Sequence, residues 1–308
     1  MIPTSFDYAR ATSLDDAIAK LGASDGTAKL LAGGHSLIPL MKLRLSEPST
    51  LIDIARIPGL AGITEKDGKI EVGSGTTHHA VATSALLLDK CPALAETAAT
   101  THHAVASSSL LADKCPALAE TAETIGDPQV RNRGTIGGSL AHADPAADYP
   151  AMLVALDAEI HIKGPGGWRA VKASDFFQGL FTVDLSPDEI ITAVQFTPTK
   201  SAAYAKLNQR ASHFAIVGVA AAVTVSNGTI RSARIGLTGA SSHATRLENV
   251  EEALTGKPAT DESIAAASKL AGAGLDDINS DIHAGEEYRR AMIAVFTERA
   301  LKKAVARA

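Results

Sequence analysis

The chain has 308 residues, of which 45% are hydrophobic and 20% are charged. This composition predicts a globular protein with a sizeable core, built as two domains or as several joined subdomains, and argues against disorder. A net charge of −5 and a pI near 6.1 provide no general attraction to nucleic acid or to anionic lipid, so we expect neither as a partner.

The N-terminal part is predicted to contain a helix and two strands. The helix covers Ser13 to Leu21, because its first residue is a suitable N-cap, acidic residues follow in the first turn and glycine stands just beyond its end. The strands cover Ala28 to Ala32 and Leu51 to Ile54. A Pro-Gly pair then marks the end of a first subdomain, residues 1–58.

A tandem duplication follows. Residues 77–100 and 101–124 match at 20 of 24 positions, and each copy reads THHAVA, then a leucine pair, then DKCPALAETA. Two copies of a helical unit are too few for a solenoid, which needs about three or more. We therefore expect one copy in the native helical place. The other is an inserted helix, a displaced loop or an artefact, and the sequence leaves these open.

The histidines of the duplication raise the possibility of a metal site. His78-His79 precedes Cys91, and His102-His103 precedes Cys115, and both residue types are zinc ligands. However, a single duplication produced both sets, and adjacent histidines on a helix point in different directions. We therefore interpret them as surface histidines and expect no metal site.

Three further elements are predicted in a middle subdomain, residues 59–183. A hairpin strand covers Lys69 to Val72, a helix covers Ala146 to Leu156, and a strand covers Ala158 to Lys163. A Gly-Pro-Gly-Gly turn follows the last of these strands.

A last domain, residues 184–308, is expected to start with a strand over Ile190 to Phe196. Ala215 to Val225 and Thr229 to Leu237 flank an Asn-Gly pair, which is a strong hairpin signal. The final helix, over Glu286 to Val305, has an apolar face that we expect to pack on the hairpin sheet.

Membrane and secretory signals are not found. No apolar run reaches the roughly 20 residues of a membrane-spanning helix, and the stretch from Phe214 to Val225 is interpreted as a buried strand. The first residues do not form a basic segment followed by an apolar core, so we expect no secretory signal. The only two cysteines do not form a disulfide framework, which favours the reducing cytoplasm.

Two glycine-rich loops carry the functional signal. AGGHS, Ala32 to Ser36, follows an apolar strand, and TIGGS is found at Thr135 to Ser139. Main-chain N–H groups in such loops can approach a diphosphate, and two loops can clamp one dinucleotide. Neither loop fits GxGxxG or GxxxxGK[ST], which argues against a standard NAD fold and a P-loop. For the first loop alone, an ordinary turn capped by Ser36 is an equal alternative.

The motifs AGGHSLIP, IGDPQVRNRGTIGGS and AHADPAADYP, in this order, resemble those of the FAD-binding medium subunits of the xanthine dehydrogenase and carbon monoxide dehydrogenase family. The resemblance covers nearly the whole chain, and the duplication departs from it. It implies an α+β fold: a PCMH-type FAD-binding domain of two α/β subdomains, followed by a smaller C-terminal α+β domain with an antiparallel sheet and helices.

The resemblance also implies which residues bind FAD. The residues expected around the diphosphate are Ala32, Gly33, Gly34, His35, Ser36, Thr135, Gly137, Gly138 and Ser139. The hydroxyls of the serines and the threonine are expected as further donors. No catalytic residue is implied, because the chain is not expected to act on a substrate itself.

Four further positions are implied near the flavin. Asp148 would hold flavin or ribityl polar groups, while Asp144 is the alternative acidic residue and could instead cap the following helix. Lys206 would be a cation that stabilises the reduced anionic flavin, or else a solvated lysine at a strand end. Phe214 would lie against the isoalloxazine and Leu180 would line its pocket, whereas ordinary core positions are the alternatives for both.

The function that the resemblance implies is electron transfer. Substrate would be oxidised at a molybdenum cofactor in a large subunit, and electrons would cross the [2Fe-2S] clusters of a small subunit to the FAD of this chain, then reach an external acceptor. Two cysteines cannot hold such a cluster here. The expected assembly is a dimer of heterotrimers, and its substrate is open. The alternatives are a stand-alone flavin oxidase and a non-catalytic nucleotide-binding assembly module.

Overall fold

The structure is a computed structural model that describes residues 2–24, 26–77 and 133–308. Within these ranges the chain has the mixed α+β fold that the resemblance implies. The duplication, apart from Thr77, lies outside the described residues, together with its histidine and cysteine pairs. What we predict for these residues therefore stays a prediction.

The N-terminal sheet consists of parallel strands in the order β1-β3-β2. Its strands are Asp7–Arg10 (β1), Ala28–Leu31 (β2) and Thr50–Asp53 (β3). Helix α1, Leu14–Gly22, connects β1 to β2, and the Ser13 hydroxyl accepts a hydrogen bond from the Asp16 N–H, which confirms the predicted helix and its cap. The short helix α2, Leu37–Lys42, follows β2. Because the strands are parallel, the ends of β2 and β3 lie at the same edge of the sheet.

The second sheet has five strands in the order β4-β5-β10-β6-β7. Its strands are Ile63–Lys66 (β4), Lys69–Gly73 (β5), Glu159–Gly164 (β6), Gly167–Lys172 (β7) and Ile190–Phe196 (β10). The short helix Ala173–Phe176 and a small hairpin of Phe177–Gly179 (β8) and Thr182–Val183 (β9) lie between β7 and β10 along the chain.

The place of β10 corrects one prediction. We expected this strand to start the last domain, but it pairs antiparallel with β5 and β6 in the centre of the second sheet. All of its residues except Gln195 are buried, as is typical of a central strand covered on both faces. A strand that returns to an earlier sheet has no local signal that distinguishes it from one that begins a new domain. The remaining domain limits stay predictions.

The third sheet is antiparallel, in the order β11-β12-β13-β14. Its strands are Ala202–Asn208 (β11), Ala215–Ser226 (β12), Thr229–Thr238 (β13) and Thr245–Arg246 (β14). The β12-β13 pair confirms the predicted hairpin, and it shows that the apolar stretch near Phe214 is a strand. No helix among the described residues is long and apolar enough to cross a membrane.

The long C-terminal helix covers one face of the third sheet. It runs over Glu286–Val305 and contacts β11 and β12, as predicted. Phe296 and Ala300 are buried in the core between this helix and the sheet. Two shorter helices, Glu248–Leu254 and Asp261–Ser268, complete this core.

Among the described residues, two helices lie between β5 and β6 along the chain; the first contacts β10 of the second sheet, and the second packs on β12 and β13 of the third sheet. They are Ile136–His142 (α3) and Asp148–Ala155 (α4). Every residue of α4 is buried, and a Cβ atom at Gly236 of β13 would lie 2.1 Å from the carbonyl oxygen of Ala151, so glycine lets the helix backbone touch the sheet. Helix α4 begins two residues later than predicted, because the carbonyl groups just before it bind the third sheet instead of continuing a helix.

Candidate functional site

A cavity of about 1110 Å³ lies where the ends of β2 and β3 face the helices α3 and α4. Eleven of the thirteen residues proposed for FAD binding are in its wall, namely Ala32, Gly33, Gly34, His35, Ser36, Thr135, Gly137, Gly138, Ser139, Asp148 and Phe214. Lys206 and Leu180 are not among the described residues that line it. The volume is at the upper end of that of small-molecule pockets, roughly 300–1,000 Å³, as an extended dinucleotide requires.

The first glycine loop, Ala32 to Ser36, offers main-chain donors to the cavity. Gly34 has a φ of +74°, a left-handed conformation that favours glycine. No described residue accepts a hydrogen bond from the N–H groups of Gly33, Gly34 or Ser36. The Ser36 side chain does not cap α2, which leaves its hydroxyl at the cavity wall. The turn capped by Ser36, which was the alternative for this loop, is therefore not what forms.

The two glycine loops touch each other through backbone atoms. A Cβ atom at Gly33 would lie 2.0 Å from the carbonyl oxygen of Arg133 and 3.3 Å from the Cα atom of Gly134. These distances leave no space for any side chain, and the obstacle is backbone rather than a mobile side chain. The absence of a side chain at Gly33 therefore sets the distance between the loops.

The second loop uses most of its main-chain donors within the protein. The N–H groups of Gly137 and Ser139 donate to the carbonyl oxygens of Ser74 and Thr135, both at 3.0 Å, and the N–H of Gly138 donates to the Thr135 hydroxyl at 3.1 Å. The N–H of Ile136 donates to Thr76. What this loop can offer a diphosphate is therefore mainly the Ser139 hydroxyl, which has no hydrogen-bond partner among the described residues.

Replacing Thr135 with alanine is expected to lower the free energy of unfolding by about 1 kcal/mol, because α3 loses the side-chain cap at its N-terminus. Serine at the same position keeps the hydroxyl and should recover most of this loss. Urea unfolding of the three proteins measures the effect. Equal stability of the alanine variant and the wild type would show that the cap does not contribute.

Asp148, the first residue of α4, is a buried acid at the cavity wall. Its carboxylate accepts a hydrogen bond from the Tyr204 hydroxyl at 2.5 Å and one from the Lys206 ammonium at 2.9 Å. Burial raises the pKa of Asp148, and the Lys206 charge and the Tyr204 hydrogen bond oppose this rise. Burial also raises the pKa of Tyr204, so this side chain keeps its proton and stays a donor.

The third sheet fixes the segment that leads into Asp148. The hydroxyl of Thr238 lies 2.8 Å from the carbonyl oxygen of Pro145 and 2.7 Å from that of Ala147, and the Gly239 N–H donates to Pro145 at 2.6 Å. The position of Asp148 therefore depends on strand β13 as well as on its own helix.

The structure excludes the alternative positions of three predicted residues, whose roles at the flavin stay predictions. The side chain of Lys206 is 1% exposed, so it is not a solvated strand-end lysine. Phe214 is 48% exposed and lies in the cavity wall, which excludes a core position. Leu180 is 59% exposed at the β8-β9 turn, so it is not a core residue either. It adjoins Phe181, whose ring contacts that of His142 in the cavity wall.

Asp144 does not cap α4. Its carboxylate accepts a hydrogen bond from the Ala146 N–H at 2.9 Å, which makes a tight turn, and Ala147 is the residue before the helix. Asp144 also lies in the cavity wall. The capping alternative was wrong because the helix starts later than the sequence pattern indicates.

The sequence did not indicate some of the residues at or beside the cavity. Asp53, at the end of β3, lines the cavity and accepts a hydrogen bond from the Tyr8 hydroxyl at 2.5 Å. Glu189 also lines it, and the bidentate hydrogen bonds from Arg169 lower the pKa of Glu189. Tyr204 is two residues before Lys206 on a strand, and this spacing, which places both on one face, was the available signal.

Comparisons with known proteins extend over the whole chain. The family described as "FAD binding domain in molybdopterin dehydrogenase" matches residues 4–100 and 97–199, and "CO dehydrogenase flavoprotein C-terminal domain" matches residues 202–304. The two matches of the first family meet where the two copies of the duplication adjoin. Fold and matches together define an FAD-binding subunit of an oxidoreductase.

Individual relatives show which kind of oxidoreductase subunit this is. The chain is 37% identical to the carbon monoxide dehydrogenase medium chain of Hydrogenophaga pseudoflava, with 100% of this chain and 99% of that protein covered. It is also 37% identical to the 6-hydroxypseudooxynicotine dehydrogenase complex subunit alpha of Paenarthrobacter nicotinovorans, with 100% and 97% covered. The chain belongs to the FAD-binding medium subunits of the molybdenum hydroxylases, and FAD is its cofactor.

A solved structure shows the same fold. The chain superposes with a TM-score of 0.88 and 37% identity on carbon monoxide dehydrogenase from Hydrogenophaga pseudoflava that lacks the Mo-pyranopterin moiety of the molybdenum cofactor. The match covers 100% of this chain and 99% of that one. The fold prediction, an FAD-binding domain followed by a C-terminal α+β domain, is confirmed.

The cavity suits FAD in its chemistry. In the first loop, the N–H groups of Gly33, Gly34 and Ser36 have no acceptor among the described residues and can serve a diphosphate, and the missing side chain at Gly33 lets the second loop come close. Asp148 offers carboxylate oxygens to hydroxyl or imide donors, and Phe214 offers an aromatic surface. These residue assignments stay our predictions.

Proposed function

We propose that this chain accepts electrons from the iron-sulfur clusters of a partner subunit and passes them to an external acceptor. The observation that carries the proposal is the cavity, which both glycine loops line in a chain that matches molybdenum hydroxylase medium subunits over its full length. When bound, FAD supplies a centre that can take up two electrons one at a time from a one-electron donor and release them to an acceptor. The chain holds the cofactor and sets the charge around it.

The cysteine count supports partner subunits. A [2Fe-2S] cluster takes four ligands, and the chain has two cysteines in all. Within the described residues, no group of three or more His, Cys, Asp or Glu side chains is arranged to hold a metal ion. We therefore place the clusters and the molybdenum cofactor in a small and a large subunit, assembled as a dimer of heterotrimers in the cytoplasm. The substrate is left open, because its determinants lie in the large subunit.

The isolated chain, loaded with FAD, is expected to bleach with dithionite but not with carbon monoxide, an N-heterocycle, an aldehyde or a purine. The physical reason is that, on this proposal, the molybdenum centre that activates these compounds lies in the large subunit, whereas this chain contributes the flavin. Absorbance spectra before and after each addition measure this. Bleaching by one of the substrates in the isolated chain would favour a stand-alone flavin oxidase and contradict the proposal.

The assembled complex provides the complementary test. An affinity tag on this chain, expressed in its source organism, is expected to recover two further polypeptides together with molybdenum and iron, measured by elemental analysis. The flavin in this complex should then be reduced by the substrate of the large subunit. Recovery of the chain without either metal would contradict the proposed partners.

A further inference from the structure

Among the residues that the structure describes, Tyr204 is the largest fully buried side chain, and the predicted site did not include it. It is 1% exposed, and its only polar atom is the hydroxyl. A buried tyrosine hydroxyl needs a hydrogen-bond partner, and this one donates to Asp148 Oδ1 at 2.5 Å. Tyr204 therefore contacts the cavity wall through Asp148, although it is not among the described residues that line the cavity.

Two side chains from one strand hold the two oxygens of Asp148. Tyr204 and Lys206 are two residues apart on β11, so they project from the same face. Tyr204 donates to Oδ1, whereas the Lys206 ammonium donates to Oδ2 at 2.9 Å and also lies 2.9 Å from Oδ1. A carboxylate that accepts hydrogen bonds at both oxygens cannot rotate freely, so its orientation is fixed relative to the third sheet.

The Asp148 carboxylate can still accept a hydrogen bond from a ligand. A carboxylate has about four lone-pair sites, and the three contacts made by Tyr204 and Lys206 leave at least one of them for a ligand. Asp148 is itself in the wall of the cavity. The hydrogen-bond donors of FAD that match such an acceptor are its ribityl hydroxyl groups and the N3–H of its flavin ring.

Gly218 makes the room that Tyr204 needs. A Cβ atom at Gly218 would lie 2.2 Å from the Tyr204 hydroxyl oxygen and 2.8 Å from Cγ2 of Thr238. Gly218 lies inside the long strand β12, directly opposite Lys206 in the register. Glycine weakens a strand interior and often marks a close approach of another group, which here is the tyrosine hydroxyl.

We infer that Tyr204 is a positioning residue of the FAD site: it fixes the Asp148 carboxylate as a hydrogen-bond acceptor for the cofactor, and Gly218 leaves the space for it to do so. The inference rests on the proposal that Asp148 contacts FAD. It adds two residues, Tyr204 and Gly218, to those expected to determine how tightly this chain holds its cofactor.

The test is a double-mutant cycle on FAD affinity. FAD is titrated into the apo form of the full chain for the wild type, Tyr204→Phe, Asp148→Asn and the double variant. We expect Tyr204→Phe to raise the dissociation constant roughly tenfold, as for loss of a hydrogen bond to a charged group. Because Tyr204 acts through Asp148, the double variant should bind FAD within about twofold of Asp148→Asn. Tyr288→Phe, at an exposed tyrosine, is the matched control and should not change the affinity.

The pH dependence of FAD affinity gives a second readout, which would not change if Tyr204 only stabilised the fold. The charged groups that act on Asp148 are Lys206, which favours its ionised form, and Asp144, which opposes it. The Tyr204 hydrogen bond also favours the ionised form, so its loss raises the pKa of Asp148. Tyr204→Phe should therefore lose more FAD affinity than the wild type between pH 8 and pH 6, and Asp148→Asn should show no such extra loss.

Gly218→Ala is a second variant that disturbs the hydrogen bond from Tyr204 to Asp148. It provides the test if Tyr204→Phe folds poorly. Its Cβ atom displaces the tyrosine hydroxyl, so we expect a comparable loss of affinity that again disappears in the Asp148→Asn background. Additive effects in these cycles, or unchanged affinity in Tyr204→Phe, would overturn the inference. Wild-type affinity in Asp148→Asn would overturn the inference and leave the chain a flavoprotein. The electron-transfer role is tested separately, by adding substrates to the isolated chain and by recovery of the complex.

Discussion

Replacement of Gly33 with alanine is expected to weaken FAD binding by about 10- to 100-fold. The added Cβ atom would lie 2.0 Å from the Arg133 carbonyl oxygen and 2.9 Å from its carbon, so the two loops must separate. Overpacking of this kind typically costs about 1–3 kcal/mol, which corresponds to this range of affinity. Titration of FAD into the apo chain, followed by absorbance or flavin fluorescence, measures the change.

The matched control is Gly166→Ala. A Cβ atom at Gly166 would meet nothing within 4 Å, and this glycine lies in the β6-β7 turn away from the cavity. The control should bind FAD like the wild type and unfold at the same temperature. If Gly33→Ala also bound FAD with unchanged affinity, close approach of the loops would not be needed for the cofactor.

Replacement of Lys206 with methionine is expected to destabilise the protein by roughly 3–5 kcal/mol at pH 8, because it leaves the Asp148 charge buried without its cation. Burial already raises the pKa of Asp148, and without Lys206 this pKa rises further. An acidic group whose pKa is higher in the folded than in the unfolded protein contributes stability at pH values below its unfolded-state pKa, which is near 4 for an aspartate. Stability is then lost as the pH rises through the folded-state pKa.

The variant should therefore approach the wild type in stability at pH 5 and fall away from it towards pH 8. Urea unfolding of both proteins at intervals between these values gives the profile. Lys200→Met serves as the control, because Lys200 is exposed just before β11, and its effect should be small at every pH. A penalty for Lys206→Met that does not vary with pH would mean that Asp148 does not respond to this lysine.

Local signals in the sequence predicted local structure well. Ser13 caps the first helix, and the hairpin of β12 and β13 forms around the Asn-Gly turn, because both depend on a few neighbouring residues. The strand β10 was assigned wrongly, since its partners β5 and β6 are distant in sequence. The family and its cofactor could be predicted because the glycine loops and the acidic motif are specific sequences.

The detailed arrangement of the site could not be predicted. The contact of Gly33 with Arg133 joins residues that are far apart in the chain, and no property of either residue alone indicates it. The internal use of the Gly137 and Gly138 N–H groups depends on where Ser74 and the Thr135 hydroxyl lie. The pairing of Lys206 with Asp148 likewise joins two residues that are far apart in the chain.

The hydroxyl of Thr238 binds the carbonyl groups of Pro145 and Ala147, just before Asp148, and this contact determines when FAD can bind during synthesis of the chain. A ribosome adds about 5–20 residues per second, and the first glycine loop emerges long before β13 does. The cavity wall is complete only after that strand has folded onto the chain. FAD should therefore load late, on a nearly finished polypeptide, and a chain interrupted before Thr238 should leave the ribosome without its cofactor.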